Sequence, residues 1–283
     1  MAERTIVITG ATSGLGREIA TQLAGHGAVL VGVRNVDAGN AMADEISKNP
    51  AAKRPKILQV DMSRPRSVRA FADAVRAEAR TVDVLVNCAG VQSPVRRVTE
   101  DGIEETFATN VLGYFLLMRE LLESLKAAPA GRIVNVASSF AGELDLDDLE
   151  FTRRPYDGIK AYKQSKAADR LLTWAAAQRL AGTKVTANAM NPGLVWTGLY
   201  RNVTGMTRLM VRLMSRIFGR TVAQGADTAA WLATSDEVAG KTSALWEQRQ
   251  EKTCEFRDPA KQDQLWQICT GYVDRVLGAP AAR

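Results

Sequence analysis

Short apolar segments alternate with amphipathic helical patterns along most of this 283-residue chain. The predicted strands are rich in Val and Ile and lack polar residues at alternate positions, which is typical of a parallel sheet covered on both faces. They cover residues 5–9, 28–33, 56–60, 82–86, 132–136 and 184–189. Helical patterns lie between them, such as that of Val68, Phe71, Ala72, Val75 and Ala79. This repeated alternation predicts a doubly wound parallel α/β fold.

A glycine-rich turn follows the first predicted strand and precedes the first helix. It contains Thr-Gly-Ala-Thr-Ser-Gly-Leu-Gly over residues 9–16. Glycines allow the backbone to approach a pyrophosphate, and the helix N-terminus offers free N–H groups and the positive end of a dipole. Such a turn can also be an ordinary loop that joins two elements and binds no ligand. Its position directly after the first strand favours dinucleotide binding.

Tyr162 and Lys166 are four residues apart in a strong helical pattern, so their side chains share one helix face. An ammonium group beside a buried phenol favours the phenolate, which makes tyrosine usable as an acid or a base. Tyr156 and Lys160 have the same spacing. Because Gly158 and a preceding proline predict a loop or a frayed helix around Tyr156, Tyr162 is the candidate acid/base.

Two polar residues precede this pair at the ends of predicted elements. Ser138 follows the fifth strand, in Asn-Val-Ala-Ser-Ser over residues 135–139, and Asn110 precedes that strand. A serine hydroxyl here would polarise a substrate oxygen, with Ser139 as the alternative. Capping or turn bonding is the ordinary structural role of both serines.

In this order, the glycine-rich turn, Asn110, Ser138 and the Tyr162–Lys166 pair resemble the short-chain dehydrogenase/reductase family. The Gly-x-x-x-Gly-x-Gly spacing is that of this family, whereas most Rossmann dehydrogenases have Gly-x-Gly-x-x-Gly. Residues 87–90, Asn-Cys-Ala-Gly, are similar to the family's Asn-Asn-Ala-Gly turn, with Cys88 in place of the second asparagine. The similarity is firm over about residues 5–197. The long segment before Tyr162 looks most like the retinol-dehydrogenase-like and carbonyl-reductase-like branches.

The resemblance implies a Rossmann fold and hydride transfer between a nicotinamide cofactor and a carbonyl carbon. Tyr162 would transfer the proton, Ser138 would orient the substrate oxygen, Lys166 would hold the nicotinamide ribose, and Asn110 would anchor a water relay. Lowering the pKa of a tyrosine from about 10 by about 3 units needs about 4 kcal/mol of phenolate stabilisation. We expect Lys166 and a positive nicotinamide to supply it together.

The resemblance also implies the set of residues that bind the cofactor. Asp61 would flank the adenine, and the Pro-Gly turn at residues 192–193 would lie against the nicotinamide. The full set is Gly10, Thr12, Ser13, Gly14, Leu15, Gly16, Arg34, Asp61, Met62, Asn87, Ala89, Gly90, Tyr162, Lys166, Pro192, Gly193, Val195 and Thr197.

The residues after the second strand distinguish NADP from NAD. An acidic residue there would accept hydrogen bonds from the ribose 2′-hydroxyl, whereas an arginine would meet a 2′-phosphate. The chain has Arg34 at this point, and its first acid, Asp37, already lies in the next helix. Arg34 therefore favours NADP, although NAD stays possible because residue 13, basic in some NADP-using relatives, is serine.

A predicted substrate lid covers about residues 196–222 and contains two stripes at helical spacing. Apolar side chains run from Met206 to Phe218, and arginines recur every four residues from Arg208 to Arg220. Four interpretations stay open. The helix could cap a lipophilic substrate, lie on an anionic membrane, bind an anionic substrate or partner, or be an ordinary amphipathic helix with a basic solvent face.

Composition excludes several other classes of protein. The net charge of +6 is concentrated in residues 200–220, which contain five arginines and no acid, so general nucleic-acid binding is not expected. Three scattered cysteines and a single histidine match neither a disulfide framework nor a metal site. The acidic segment 143–150 fits a surface loop better than a metal site. Without a signal-peptide pattern or a long apolar span, we expect a cytoplasmic protein.

The sequence thus predicts one domain over residues 1–283, with the cofactor-binding part at about 1–195. We expect an NADP-dependent oxidoreductase that interconverts a lipophilic ketone or aldehyde and its alcohol, and the resemblance implies a homodimer or homotetramer. The alternatives are a dinucleotide-binding sensor or scaffold without turnover, a sugar-nucleotide epimerase or dehydratase, and a peripheral membrane protein. The short chain after residue 193 argues against the epimerase.

Overall fold

The computed structural model describes residues 3–195 and 219–278. The strands are β1 Thr5–Thr9, β2 Ala28–Val33, β3 Lys56–Gln59, β4 Val84–Asn87, β5 Arg132–Val136, β6 Thr186–Met190, β7 Leu245–Glu247 and β8 Gln250–Lys252. The α-helices are α1 Gly14–Leu23, α2 Val36–Ile46, α3 Pro65–Glu78, α4 Glu105–Phe107, α5 Gly113–Glu120, α6 Leu122–Lys126, α7 Gly158–Arg179, α8 Val222–Thr234 and α9 Pro259–Leu277. A π-helical turn, Ala108–Leu112, joins α4 to α5.

The eight strands form one sheet in the order β3-β2-β1-β4-β5-β6-β7-β8. All neighbouring strands are parallel except β7 and β8, which are antiparallel. The strand order reverses at β1 and β4, where the chain crosses from one half of the sheet to the other. This arrangement confirms the predicted doubly wound α/β fold, and it opens a crevice at the carboxyl ends of the central strands.

Helices cover both faces of the sheet. Residues of β1 alternate between the faces, since Val7 packs with α3, α5, α7 and α9 while Ile6 and Ile8 pack with α1, α2 and α8. All three side chains are fully buried. Burial on both faces explains why the central strands show continuous apolar runs instead of alternation.

The largest difference from the sequence prediction lies at the last strands. The sequence predicts a last strand over residues 240–246. In the structure Gly240 and Ser243 have φ values of +73° and +59°, and β7 begins only at Leu245. The antiparallel β8 was not predicted. Its two-residue connection, Gln248 and Arg249, has φ values of +54° and +58°. Such a turn is usually marked by Asn-Gly or Asp-Gly, a signal that this sequence lacks.

The sequence predicts that the C-terminal aromatic side chains are core or subunit contacts, and the structure places them in or against the core. Trp246 is buried among the residues that cover one face of the sheet, and Phe256 and Trp266 pack against the core of the other. Within residues 3–195 and 219–278, no helix has both the length and the apolar character needed to cross a membrane. Thr197 and nearly all of the predicted lid, including four of its five arginines, lie outside the described residues.

Candidate active site

The glycine-rich turn between β1 and α1 depends on the absence of side chains at two positions. Gly10 has a φ of +74°, and a Cβ atom there would lie 2.5 Å from the Cα of Ala89. A Cβ atom on Gly16 would lie 2.4 Å from the carbonyl oxygen of Gly10. The first contact joins the turn to the segment after β4, and the second seats α1 on the turn. These close approaches explain the glycine spacing in physical terms.

The N-terminus of α1 faces this turn and is suited to an anion. Ser13 is the N-cap residue but makes no side-chain capping bond with any described residue, and the first turn of α1 contains no acidic residue. By contrast, α2, α7 and α9 are capped by Asn35, Asp157 and Asp258. The N–H groups at the start of α1 therefore lack a side-chain acceptor in the described part of the chain, as a phosphate-binding helix requires.

A cavity of about 550 Å³ runs along the carboxyl ends of the strands from this turn to α7. Most predicted site residues line it: Gly10, Thr12, Ser13, Gly14, Leu15, Gly16, Arg34, Asp61, Met62, Ala89, Gly90, Ser138, Tyr162, Lys166, Pro192, Gly193 and Val195. Asn87 and Asn110 do not. Its lining also includes residues that the sequence reading missed, among them Val91, Thr109 and Ala137, which are apolar or have no motif of their own.

Asn87 and Asn110 are buried behind the lining and support it. Asn87 Nδ2 donates to Asn135 Oδ1 (2.9 Å), which ties β4 to β5. Asn110 lies in the π-helical turn, a feature often found at functional sites. Its Nδ2 donates to the Val91 carbonyl (3.0 Å) and to Ser165 Oγ (2.9 Å), and its Oδ1 accepts from the Val91 N–H (2.9 Å). Asn110 thus clamps the segment after β4 to α7.

Ser138, Tyr162 and Lys166 converge at one end of the cavity. Ser138 lies just after β5, and Tyr162 and Lys166 lie one turn apart on α7. The exposed fractions of the three residues are only 7%, 9% and 4%. Ser138 and Tyr162 line the same end of the cavity, and Lys166 Nζ is 6.0 Å from the centroid of the Tyr162 ring. The structure therefore brings together a hydroxyl donor, a phenol and an ammonium group.

Burial raises the pKa of the Tyr162 phenol, and the charge of Lys166 and the hydrogen bond from Ser138 oppose that rise. Lys166 therefore acts in the predicted direction. Desolvation is the largest of these contributions, and the further lowering that we expect from a positive nicotinamide is not part of this balance.

Lys166 has partners that the sequence reading did not anticipate. Its Nζ donates to the Val136 carbonyl (3.0 Å) and to Asp169 Oδ2 (2.7 Å), and both side chains are almost fully buried. One residue further along α7, Arg170 donates to the carbonyl of Ser138 (2.5 Å) and to Asn191 Oδ1 (3.3 Å). Arg170 thus joins the segment after β5 to the segment after β6. Helix spacing could have predicted these partners, because Asp169 and Arg170 follow Lys166 by three and four residues and therefore share its helix face.

The second tyrosine, Tyr156, lies outside the cavity lining. It precedes α7, and its hydroxyl donates to Glu104 Oε1 (3.0 Å). Its ring packs edge-on against Phe151 at 5.5 Å between centroids. Tyr156 therefore fixes the segment before α7 to α4, which is a structural role.

The acidic segment 143–150 is more than the surface loop that the sequence predicted. Asp148 is buried, and its carboxylate accepts from the N–H of Thr152 (2.6 Å) and the N–H of Arg153 (3.3 Å). Those hydrogen bonds hold the pKa of Asp148 below its usual value against the effect of burial. Leu149 is also buried, and Gln164 of α7 donates to the Asp148 carbonyl (3.2 Å). The alternating leucines pack against the core, so the segment supports α7.

Arg34 and Asp61, which the resemblance assigns to the adenosine part of the cofactor, both line the cavity. Arg34 is exposed at the cavity edge directly after β2 and forms no ion pair with any residue in 3–195 or 219–278. Asn35, beside it, is engaged as the cap of α2. Asp61 Oδ1 accepts from the N–H and the hydroxyl of Ser63 (2.9 and 2.7 Å). The described surroundings thus leave the guanidinium of Arg34 available to an anionic ligand.

Comparisons with known proteins agree with this geometry. A family model described as short chain dehydrogenase matches residues 4–207. Retinol dehydrogenase 12 of Mus musculus is 35% identical over 270 residues, which cover 94% of this chain and 84% of that protein. The crystal structure of an uncharacterized protein from Mycobacterium paratuberculosis is 30% identical, with a TM-score of 0.77 over 96% of this chain and 94% of that one. A 3-ketoacyl-(acyl-carrier-protein) reductase from Brucella melitensis, complexed with NADH, is 28% identical, with a TM-score of 0.67 over 86% of this chain and 95% of that chain.

Proposed function

Because the chain belongs to the short-chain dehydrogenase/reductase family and is an NAD(P)-dependent oxidoreductase, we propose that it interconverts a lipophilic ketone or aldehyde and the corresponding alcohol, with NADP as the preferred cofactor. One observation carries this proposal. Ser138, Tyr162 and Lys166 line the same cavity as the glycine-rich turn.

The residues present fit a dinucleotide. The uncapped start of α1 and the side-chain-free surface at Gly10 and Gly16 suit the pyrophosphate, and Arg34 suits a 2′-phosphate. When bound, the cofactor supplies or accepts the hydride.

The chain's own residues handle the proton and the orientation of the substrate. Ser138 donates a hydrogen bond to the carbonyl oxygen and fixes its position. The Tyr162 phenol donates a proton to the same oxygen as negative charge develops there, and the phenolate takes the proton back when the alcohol is oxidised. Lys166 holds ribose hydroxyls and stabilises the phenolate. Arg170 holds the backbone of Ser138 in place.

Two exposed apolar side chains that are close in sequence to the reacting groups support the lipophilic substrate class, although neither lines the cavity. Phe140 follows Ser138 by two residues and Ile159 precedes Tyr162 by three, and their exposed fractions are 44% and 53%. Apolar side chains in these positions favour a substrate with an apolar body. We therefore expect NADPH oxidation, followed at 340 nm, with long-chain aldehydes, aromatic ketones or retinaldehyde, and little with short hydroxylated carbonyls. Turnover restricted to small polar carbonyls would contradict the proposed class.

The cofactor preference rests on Arg34, and its change to aspartate should reverse that preference. Losing a charge-assisted contact of about 1.5–3 kcal/mol, with a repulsive carboxylate in its place, should weaken NADPH binding about 10- to 100-fold or more. NADH affinity should stay within a few-fold or improve. Fluorescence titration of both reduced cofactors measures this.

Arg80→Asp is the matched control for that experiment. Arg80 is exposed before β4, at the opposite edge of the sheet from the cavity, so the same change of charge should leave both affinities within twofold. Equal loss of NADPH affinity in both variants would mean that Arg34 acts only through net charge. A parent protein that prefers NADH, as the NADH-complexed structural relative allows, would overturn the NADP assignment but not the enzyme class.

A further inference from the structure

Asp169 places a carboxylate directly beneath the candidate catalytic residues. It lies three residues beyond Lys166 on α7 and is 1% exposed. Its Oδ2 accepts from Lys166 Nζ at 2.7 Å, while its Oδ1 has no hydrogen-bond partner among the described residues. Asp169 does not line the cavity. It therefore contacts the cavity only through Lys166.

A carboxylate in this position carries a free-energy cost that a neutral side chain would avoid. Burial of an ionised carboxylate is unfavourable, and pairing with Lys166 offsets only part of that cost. Burial raises the pKa of Asp169 to about 6, although Lys166 and Arg170 both favour its ionised form. Packing alone would be served better by an apolar or amide side chain. The carboxylate therefore calls for an explanation in terms of the residue that it contacts.

The hydrogen bonds of Lys166 indicate the effect of its contact with Asp169. Two of the three Nζ donors are used by the Val136 carbonyl and by Asp169, which leaves one N–H for the cavity. The ammonium group lies 5.2 Å from the centroid of the Tyr114 ring and 6.0 Å from that of Tyr162. Asp169 thus fixes the direction of Lys166 and places a negative charge behind it.

We propose that Asp169 is a positioning residue of this site, which aims Lys166 at the cavity and offsets its charge so that Tyr162 rests as the neutral phenol that donates a proton in carbonyl reduction. This inference rests on the proposed function. Asp169 does not alter the equilibrium of the reaction, since no enzyme can. By setting the pKa of Tyr162, it determines the pH range over which each direction of the reaction runs.

The other titratable groups around this pair do not supply an equivalent charge. From the segment after β4, the Cys88 thiol faces Lys166, and burial raises its pKa to about 12. Burial also raises the pKa of Tyr114 on α5 and of Cys269 on α9, so these groups are neutral in the physiological range. Arg170 is cationic but donates to the Ser138 carbonyl. Among the described residues that face Tyr162, the carboxylate of Asp169 is therefore the one anion.

The test is Asp169→Asn, which keeps the shape and an oxygen acceptor for Lys166 but removes the negative charge. With tyrosine labelled by ¹³C at Cζ, NMR reports the ionisation of each phenol, and Tyr162→Phe identifies the signal of Tyr162. We expect the midpoint of the Tyr162 transition to fall by about 1 pH unit in the asparagine variant. Asp169→Glu, which restores the charge, should return the midpoint towards that of the parent.

Asp274→Asn is the matched control, since Asp274 pairs with Arg119 on the outer helices and is partly exposed. It removes the same charge and should leave the Tyr162 signal within about 0.2 pH unit, because exposed pairs are strongly screened. If the asparagine variant does not fold, Asp169→Ser provides the same loss of charge in a smaller side chain. A midpoint that is unchanged or higher in the folded neutral variant overturns the proposal.

A kinetic readout separates this inference from the proposed function. In the alcohol-oxidation direction the pH at which kcat/KM reaches half its maximum should fall by the same amount in Asp169→Asn, with little change in the KM for the cofactor. If no carbonyl or alcohol is turned over, the proposed function fails while the NMR titration still decides the role of Asp169. If turnover is normal but neither midpoint moves, only the role of Asp169 fails.

Discussion

Tyr162→Phe is expected to lower kcat by about 10²- to 10⁴-fold, the usual contribution of a positioned general acid. The phenol lines the cavity beside Ser138 and Lys166, and the substitution removes only its hydroxyl. The ring stays available for packing, so NADPH affinity and the melting temperature should change little. Steady-state kinetics with a lipophilic aldehyde measure kcat, cofactor titration measures the NADPH affinity, and thermal unfolding measures the melting temperature.

Tyr156→Phe is the matched control for this prediction. Tyr156 has the same lysine spacing in the sequence, but its hydroxyl donates to Glu104 instead of facing the cavity. Its loss should cost about 1 kcal/mol of stability and leave kcat within about threefold. The reverse pattern, with Tyr156 essential and Tyr162 dispensable, would contradict the assignment of the acid/base.

Hydrophobic runs, glycine spacing and helix periodicity predicted the parts of the fold that neighbouring residues determine. The strand at residues 5–9, the glycine-rich turn and the following helix were all readable, because apolar runs and glycine spacing report directly on burial and on backbone approach. The pair Tyr162 and Lys166 was readable because helix geometry places residues four apart on one face. Seventeen predicted residues consequently line one cavity.

Features that depend on backbone pairing without a sequence signal, or on contacts between separate segments, were not readable. The β7–β8 hairpin uses a Gln248-Arg249 turn without a glycine, and only the pairing of its strands reveals it. The burial of Asp148 depends on Gln164 and on backbone N–H groups that no local pattern connects to it. Asn87, which the resemblance assigns to the cofactor, also donates its side-chain amide to Asn135 inside the sheet, a contact that no local pattern predicts. In each case the partner is distant in sequence or is a backbone group.

Helix α7 organises the site because it presents successive turns to different strands. Tyr162 faces the cavity, Lys166 reaches the end of β5, and Arg170 reaches both Ser138 and Asn191. Asn110 adds a tie from the π-helical turn to Ser165 of the same helix. A small shift of α7 would therefore displace the hydroxyl, the phenol and the ammonium group together. Their mutual positions are fixed more firmly than those of residues on separate loops.

Gly10→Ala is expected to destabilise the fold by about 2–4 kcal/mol and to abolish cofactor binding. The residue has a φ of +74°, which costs an alanine about 1 kcal/mol. In addition, the new Cβ atom would lie 2.5 Å from the Cα of Ala89, which is backbone and cannot rotate away. Relieving this overlap must move the segment after β4, which itself lines the cavity, and overpacking of this kind costs about 1–3 kcal/mol.

Gly182→Ala separates the two causes, because Gly182 has a φ of +80° but a Cβ atom there would meet nothing within 4 Å. It lies between α7 and β6, at the edge of the sheet opposite the cavity. The positive φ alone should lower the free energy of unfolding of the Gly182→Ala variant by about 1 kcal/mol and leave its NADPH affinity unchanged. Urea unfolding followed by tryptophan fluorescence measures the first quantity, and cofactor titration measures the second. Equal destabilisation in the two alanine variants would show that the contact between Gly10 and Ala89 is not what requires glycine in this turn.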